Sequence, residues 1–305
     1  MKFSWHILSS IVVAVLYDMD PKFGHAVAAV DWNERQLFQN STIPNRTTTF
    51  WAVADVPYTF EDGQTLASQL PTLGADVDFL IHLGDLKSGK TPCNQEALDY
   101  VDSIMKLSPV PVLMIIGDNE FNDCDIDPKV ALDMWRTTFV DYETKYWEPR
   151  FRVHRMQGRP EVFYFYRKRT IFFGLNLVGG LVHDITEWNT RHAEQLNWIT
   201  SLLTTYKKQI DSVVIFAQAN PGSAHSDFIN PLVGFLRDKF PIGIPILFLA
   251  GDSHKWIYEP GYKVPNVVKV VLTGGVKEPI NLISVKPKRR KQHFEKAFRI
   301  ERFLT

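Results

Sequence analysis

Five short apolar runs divide the chain, and each stops at a residue with a side-chain oxygen. Phe50–Ala54 ends at Asp55, Phe79–Leu83 at Gly84-Asp85, Val112–Ile116 at Gly117-Asp118, Val213–Ala217 at Gln218, and Ile246–Ala250 at Gly251-Asp252. Continuous apolar stretches of about five residues between turn signals predict strands buried on both faces. Between them the apolar spacing changes to three and four. Leu98, Val101, Ile104 and Met105 predict a helix over 96–107, and 130–139 is similar; Leu196, Ile199, Leu202 and Leu203 predict one over 188–206. Residues 162–166 and 171–177 predict an antiparallel pair with a solvated tip at Arg167-Lys168-Arg169. Strand, helix, strand, helix, with β-rich insertions, defines an α/β class.

A chain of 305 residues can bury a full core, in one large α/β domain or two small ones. Its 34 Lys and Arg balance 34 Asp and Glu, so no net field points to a nucleic-acid or membrane partner. The ends carry more information. Lys2 precedes an uncharged, mostly apolar run over 7–17, too short to span a bilayer, which takes about 20 residues. That pattern predicts a secretory signal within 1–28, where Ala26-Val27-Ala28 has a small-x-small form, and no transmembrane helix. Two sequons, Asn40-Ser41-Thr42 and Asn45-Arg46-Thr47, also point to export, to a secreted or secretory-lumen glycoprotein. The tail over 286–305 is basic with Phe294, Phe298 and Phe303 interleaved, and is expected to be a solvated helix or a frayed end.

Open α/β sheets bind ligands beyond the carboxyl ends of their strands. There stand Asp55, Asp85, Asp118, Gln218 and Asp252, with His254 two residues further on. A single aspartate after a strand is commonly a turn former or a helix cap. Several converging carboxylates repel one another unless cations neutralise them, so a metal site is expected.

The order and local sequence of these blocks resemble the calcineurin-like metallophosphoesterase family, over roughly residues 48–285. That family shows Asp-x-His, Gly-Asp, Gly-Asn-His-Asp/Glu, a later His and a final Gly-His-x-His. Here the corresponding places read Asp55-Val56-Pro57, Gly84-Asp85, Gly117-Asp118-Asn119-Glu120, Gln218 and Gly251-Asp252-Ser253-His254. The resemblance implies a four-layer αββα sandwich and a two-metal phosphoesterase acting on a phosphate mono- or diester. Asp85 would bridge the ions and take part in catalysis, one ion also bound by Asp55 and His254, the other by Asp118, Gln218 and Asp252. Nearly every lost imidazole is replaced by an oxygen donor, which favours Mn²⁺, Mg²⁺ or Ca²⁺ over Zn²⁺ or Fe.

Pro57 supplies no donor where the family has its first histidine, and Asn119 stands where the family protonates the leaving oxygen. Asparagine donates a hydrogen bond but releases no proton. His183 and His225 are candidates for the missing imidazole, or ordinary loop histidines; Asn220 and Ser253 either face the pocket or cap turns. The alternative function is a non-catalytic metal-binding protein that keeps the fold. A serine hydrolase is disfavoured, since the chain has no Gly-x-Ser-x-Gly elbow. Cys93 follows the Gly84-Asp85 loop and Cys124 the Gly117-Asp118 loop. If those strands are neighbours, export would oxidise the two to a disulfide; otherwise they are free thiols.

Overall fold

The computed structural model describes residues 47–276, 280–286 and 293–302. The expected signal segment and the asparagines of both sequons lie outside them. Among the described residues no helix is long and apolar enough to cross a membrane.

The apolar runs form two sheets. In the first, β1 (Thr48–Val53), β2 (Phe79–His82) and β3 (Val112–Met114) run parallel, with Trp51 opposite Leu80 and Leu80 opposite Val112. Two later strands, β11 (Asn281–Val285) and β12 (Phe298–Arg302), extend it antiparallel, giving the order β12-β11-β1-β2-β3. The second sheet comprises β4 (Val153–Met156), β5 (Arg159–Arg167), β6 (Thr170–Gly174), β7 (Ser212–Phe216), β8 (Ile246–Ala250), β9 (Ile257–Pro260) and β10 (Val267–Val271). Its order is β4-β5-β6-β7-β8-β10-β9, with β6, β7, β8 and β10 parallel.

Parallel neighbours require crossovers, and helices supply most of them. They are α1 (Phe60–Gln69), α2 (Gln95–Met105), α3 (Pro128–Phe139), the short α4 (Tyr142–Lys145), α5 (Ile185–Tyr206) and α6 (Ser226–Asp238). Local chemistry starts them: Thr59 and Asp62 form a reciprocal capping box on α1, and Asn94 accepts from the Ala97 N–H to open α2.

Strand alternation creates the layers. On β1, Phe50 and Ala52 turn inward and pack with Phe79, Phe165, Phe172, Phe216, Leu249 and Val270, from both sheets. Phe50 stacks on Phe79 at 4.7 Å and Phe165 on Phe172 at 4.6 Å. Trp51 and Val53 turn the other way, joining Leu98, Val101, Leu132, Trp135 and Phe139 of α2 and α3. On the far side, Trp198 of α5 meets Tyr164 and Phe173 of the second sheet edge-on at 5.5 and 6.4 Å. Helices, sheet, sheet, helices is the expected αββα arrangement. Full burial of each aromatic contributes about 1.5–3 kcal/mol.

Two expectations are corrected. In the tail, 298–302 is neither helix nor frayed end but strand β12, with Phe298 buried against the inter-sheet core. The hairpin tip, expected to be solvated, is half-buried and ion-paired: Arg167 and Lys168 bind Asp78 at 2.8 and 3.0 Å, and Arg169 binds Asp211 at 2.8 Å.

Candidate metal centre

The strand-end loops are held in unusual backbone. Asp55, Asp85, Asp252 and His254 all adopt positive φ, between 49° and 72°. Side-chain-bearing residues are uncommon there, and such strain persists only where surrounding contacts over-determine it. Those contacts are visible. Glycine lets the Asp85 and Asp118 loops meet closely, since a Cβ at Gly117 would lie 2.2 Å from the Asp85 nitrogen. Glu120, buried beneath both loops, accepts from the N–H groups of Gly117 (2.6 Å), Asp85 (3.2 Å) and Leu86 (3.0 Å). His82, also buried, donates from Nε2 to the Val56 carbonyl (2.7 Å) and accepts the Gly84 N–H at Nδ1 (3.2 Å). The first loop is thus fastened to the second, and the second to the third.

Three carboxylates converge. Oxygens of Asp85, Asp118 and Asp252 lie within 4.8 Å of one another, the one such group of three among the described residues. The Gln218 side chain is set among them. Its Nε2 lies 2.8 Å from Asp118 Oδ1, 3.2 Å from Asp85 Oδ1 and 3.2 Å from Asp252 Oδ1, while its Oε1 accepts the Gly179 N–H at 2.9 Å. On the other side, Asp85 Oδ2 accepts from Tyr58 Oη (2.9 Å) and Asn119 Nδ2 (3.1 Å), and that amide also reaches Tyr58 Oη at 3.3 Å.

Asp55 and His254 are placed differently. Asp55 is buried and receives the Asp252 backbone N–H at both oxygens, 3.0 and 3.3 Å. His254 is exposed, its Nε2 3.5 Å from Tyr58 Oη. Neither joins a close set of three, so the described residues gather one donor set where two were expected. Gln218 presents its amide nitrogen, not its oxygen, to the carboxylates. Neither candidate imidazole hydrogen-bonds to the triad. His225 is buried beside Trp188 and donates to the Val178 carbonyl at 2.9 Å, and His183 meets the Asn122 carbonyl at 2.5 Å.

Acidic groups dominate the site, and Lys87 is a cationic side chain acting on Glu120 and Asp85. Burial first, then the charge of Asp85, pushes the Asp118 carboxyl up to about 9. Burial raises Asp55 to about 8, with Asp252 and Asp118 adding to it, and raises Asp85 well above the usual range with Glu120 as the next cause. Asp252 is raised by burial against the pull of the Gln218 hydrogen bond. Asp118 and Asp55 remain charged near neutrality only beside added positive charge. Three hard oxygen donors converging at largely buried strand ends suit a hard divalent ion, so the residues fit one ion held by Asp85, Asp118 and Asp252.

Tyr58, Glu120, His82 and Gly179 escape a sequence-based search, although Glu120 lies within a recognised motif. Their roles depend on backbone groups of other loops, which no local pattern signals. The cysteines are joined: Cys93 and Cys124 form a disulfide between the Asp85 and Asp118 loops.

The converging strand ends of two packed sheets define a metallophosphoesterase-type fold, and solved structures share it. One is GAP50, the anchor in the inner membrane complex of Plasmodium, 10% identical with a TM-score of 0.52 over 85% of this chain and 84% of that one. Another is purple acid phosphatase PPD1 from yellow lupin seeds, 12% identical with a TM-score of 0.51 over 79% of this chain and half of that one. No family model and no curated protein matches the sequence. At such identities the likeness is one of fold, carried by a divergent chain.

Proposed function

We propose that the protein is a metal-dependent phosphoesterase that hydrolyses a phosphate mono- or diester. The observation that carries this is the Asp85–Asp118–Asp252 triad, two of its members buried and Asp252 half-buried, at the strand ends of this fold. When bound, a hard divalent ion such as Mn²⁺, Mg²⁺ or Ca²⁺ supplies charge stabilisation for phosphoryl oxygens and a more acidic water. The chain's own groups do the positioning. Asn119 Nδ2, half-buried at the rim, leaves Tyr58 and Asp85 to donate to a phosphoryl oxygen. Burial and the Asp85 and Asp55 carboxylates hold the Tyr58 hydroxyl protonated, so it is a donor towards the leaving oxygen. The disulfide supports placement in the secretory pathway, where thiols oxidise.

Purified protein is assayed against generic mono- and diesters with Mn²⁺, Mg²⁺, Ca²⁺ or Zn²⁺. Hydrolysis should appear with a hard ion and fall by roughly 10²–10³-fold or more in Asp118→Asn, an effect of the size seen on removing a single transition-state contact. A second reading, a non-catalytic metal-binding protein of the same fold, is favoured by one feature: Asn119 holds no releasable proton where an acid is expected. Ion binding without turnover of any ester decides for it.

A further inference from the structure

We infer that the Gln218 amide is a built-in, neutral occupant of the carboxylate triad, which an incoming cation must turn away before it can bind. This rests on the reading that the triad is where an ion binds, and concerns what this chain has placed there. The side chain is fully buried, and its orientation is selected from behind. The Gly179 N–H needs an acceptor and finds Gln218 Oε1 at 2.9 Å; reversing the amide would set two donors against each other there. The –NH₂ group therefore faces forward, within 2.8–3.2 Å of Asp118, Asp85 and Asp252. An amide has two N–H bonds for these three oxygens, so one of the contacts is shared.

A divalent ion taken up by the same oxygens, at about 2.0–2.6 Å, meets the positive end of the amide dipole. Binding then requires loss of these hydrogen bonds and of the Gly179 contact, so affinity is reduced. Packing limits escape on the Gly84 side, where even a Cβ would lie 2.8 Å from Gln218 Cγ and 2.9 Å from its Cβ.

The test compares the full-length protein with Gln218→Leu, which keeps bulk but removes both N–H groups, and Gln218→His, which offers an imidazole. Mn²⁺ binding is followed by calorimetry, and thermal stability is measured with and without EDTA. Both variants should bind Mn²⁺ roughly tenfold or more tightly than wild type, a gap of about 1.4 kcal/mol. Wild type should melt at nearly the same temperature with EDTA as with Mn²⁺, whereas Gln218→Leu should depend strongly on the ion. A Gln218→Leu protein that folds only when Mn²⁺ is supplied supports the inference equally. Equal or weaker binding in both folded variants overturns it while leaving an ion at the triad. No Mn²⁺ binding by wild type or either variant overturns the inference and the ion-based reading together.

Discussion

The two halves of the site contrast. Asp55, Asp85 and His254 retain the residue types of the family pattern, whereas Asp118, Gln218 and Asp252 have all departed from it. The structure gathers the altered half. Asp118 and Asp252 share one space with Asp85, while Asp55 is engaged by the Asp252 backbone and His254 stands exposed beside Tyr58. Residue type alone therefore does not tell which donors meet. The Asp85 and Asp118 loops are joined by Glu120, by a glycine-allowed close approach and by a disulfide. Pro57, two residues beyond Asp55, offers no side-chain donor at all.

The largest expected effect comes from cutting that fastening. Glu120→Ala leaves the Gly117, Asp85 and Leu86 N–H groups buried without their acceptor. The cost should be about 3–5 kcal/mol, read from chemical denaturation, and Mn²⁺ binding should disappear in protein that still folds. A variant with normal stability and binding would show that the two loops are positioned by something else.

The joint between the first and second loops should matter less, and in a pH-dependent way. His82→Leu removes the partners of the Val56 carbonyl and the Gly84 N–H, at about 2 kcal/mol near pH 7. Burial lowers the His82 imidazole to about 4 from an ordinary 6.5. Between those values the unfolded chain binds the extra proton, so the stabilisation is complete above about 6.5 and is lost as pH falls towards 4. The gap between wild type and His82→Leu should close as pH falls and then reverse, a total change of up to about 3 kcal/mol over that window, in thermal melts at stepped pH. A gap that is constant with pH would mean that His82 is not buried as a neutral imidazole.

Much of this architecture is legible in the chain. The runs ending at Asp55, Asp85, Asp118, Gln218 and Asp252 are strands or strand exits, because a continuous apolar stretch has few other buried solutions. Other elements escaped for physical reasons. Helix α1 buries only Gly63 and Leu66, too thin a stripe to register, and α6 carries Pro231 within it. Strand β12 is held by pairing with β11 and by Phe298 entering the core, and neither shows in a basic segment read alone. At the site the same division holds. Residue types at strand ends are visible, but which end of the Gln218 amide faces the carboxylates is decided by the distant Gly179 N–H.

The central claim, that the altered half is the half that holds the ion, is tested most directly by anomalous diffraction from crystals soaked in Mn²⁺. The account predicts one peak per chain, about 2.0–2.3 Å from oxygens of Asp85, Asp118 and Asp252, with the Gln218 amide turned from its resting place. A peak held by Asp55 and His254, with Gln218 still hydrogen-bonded to all three carboxylates, would contradict it.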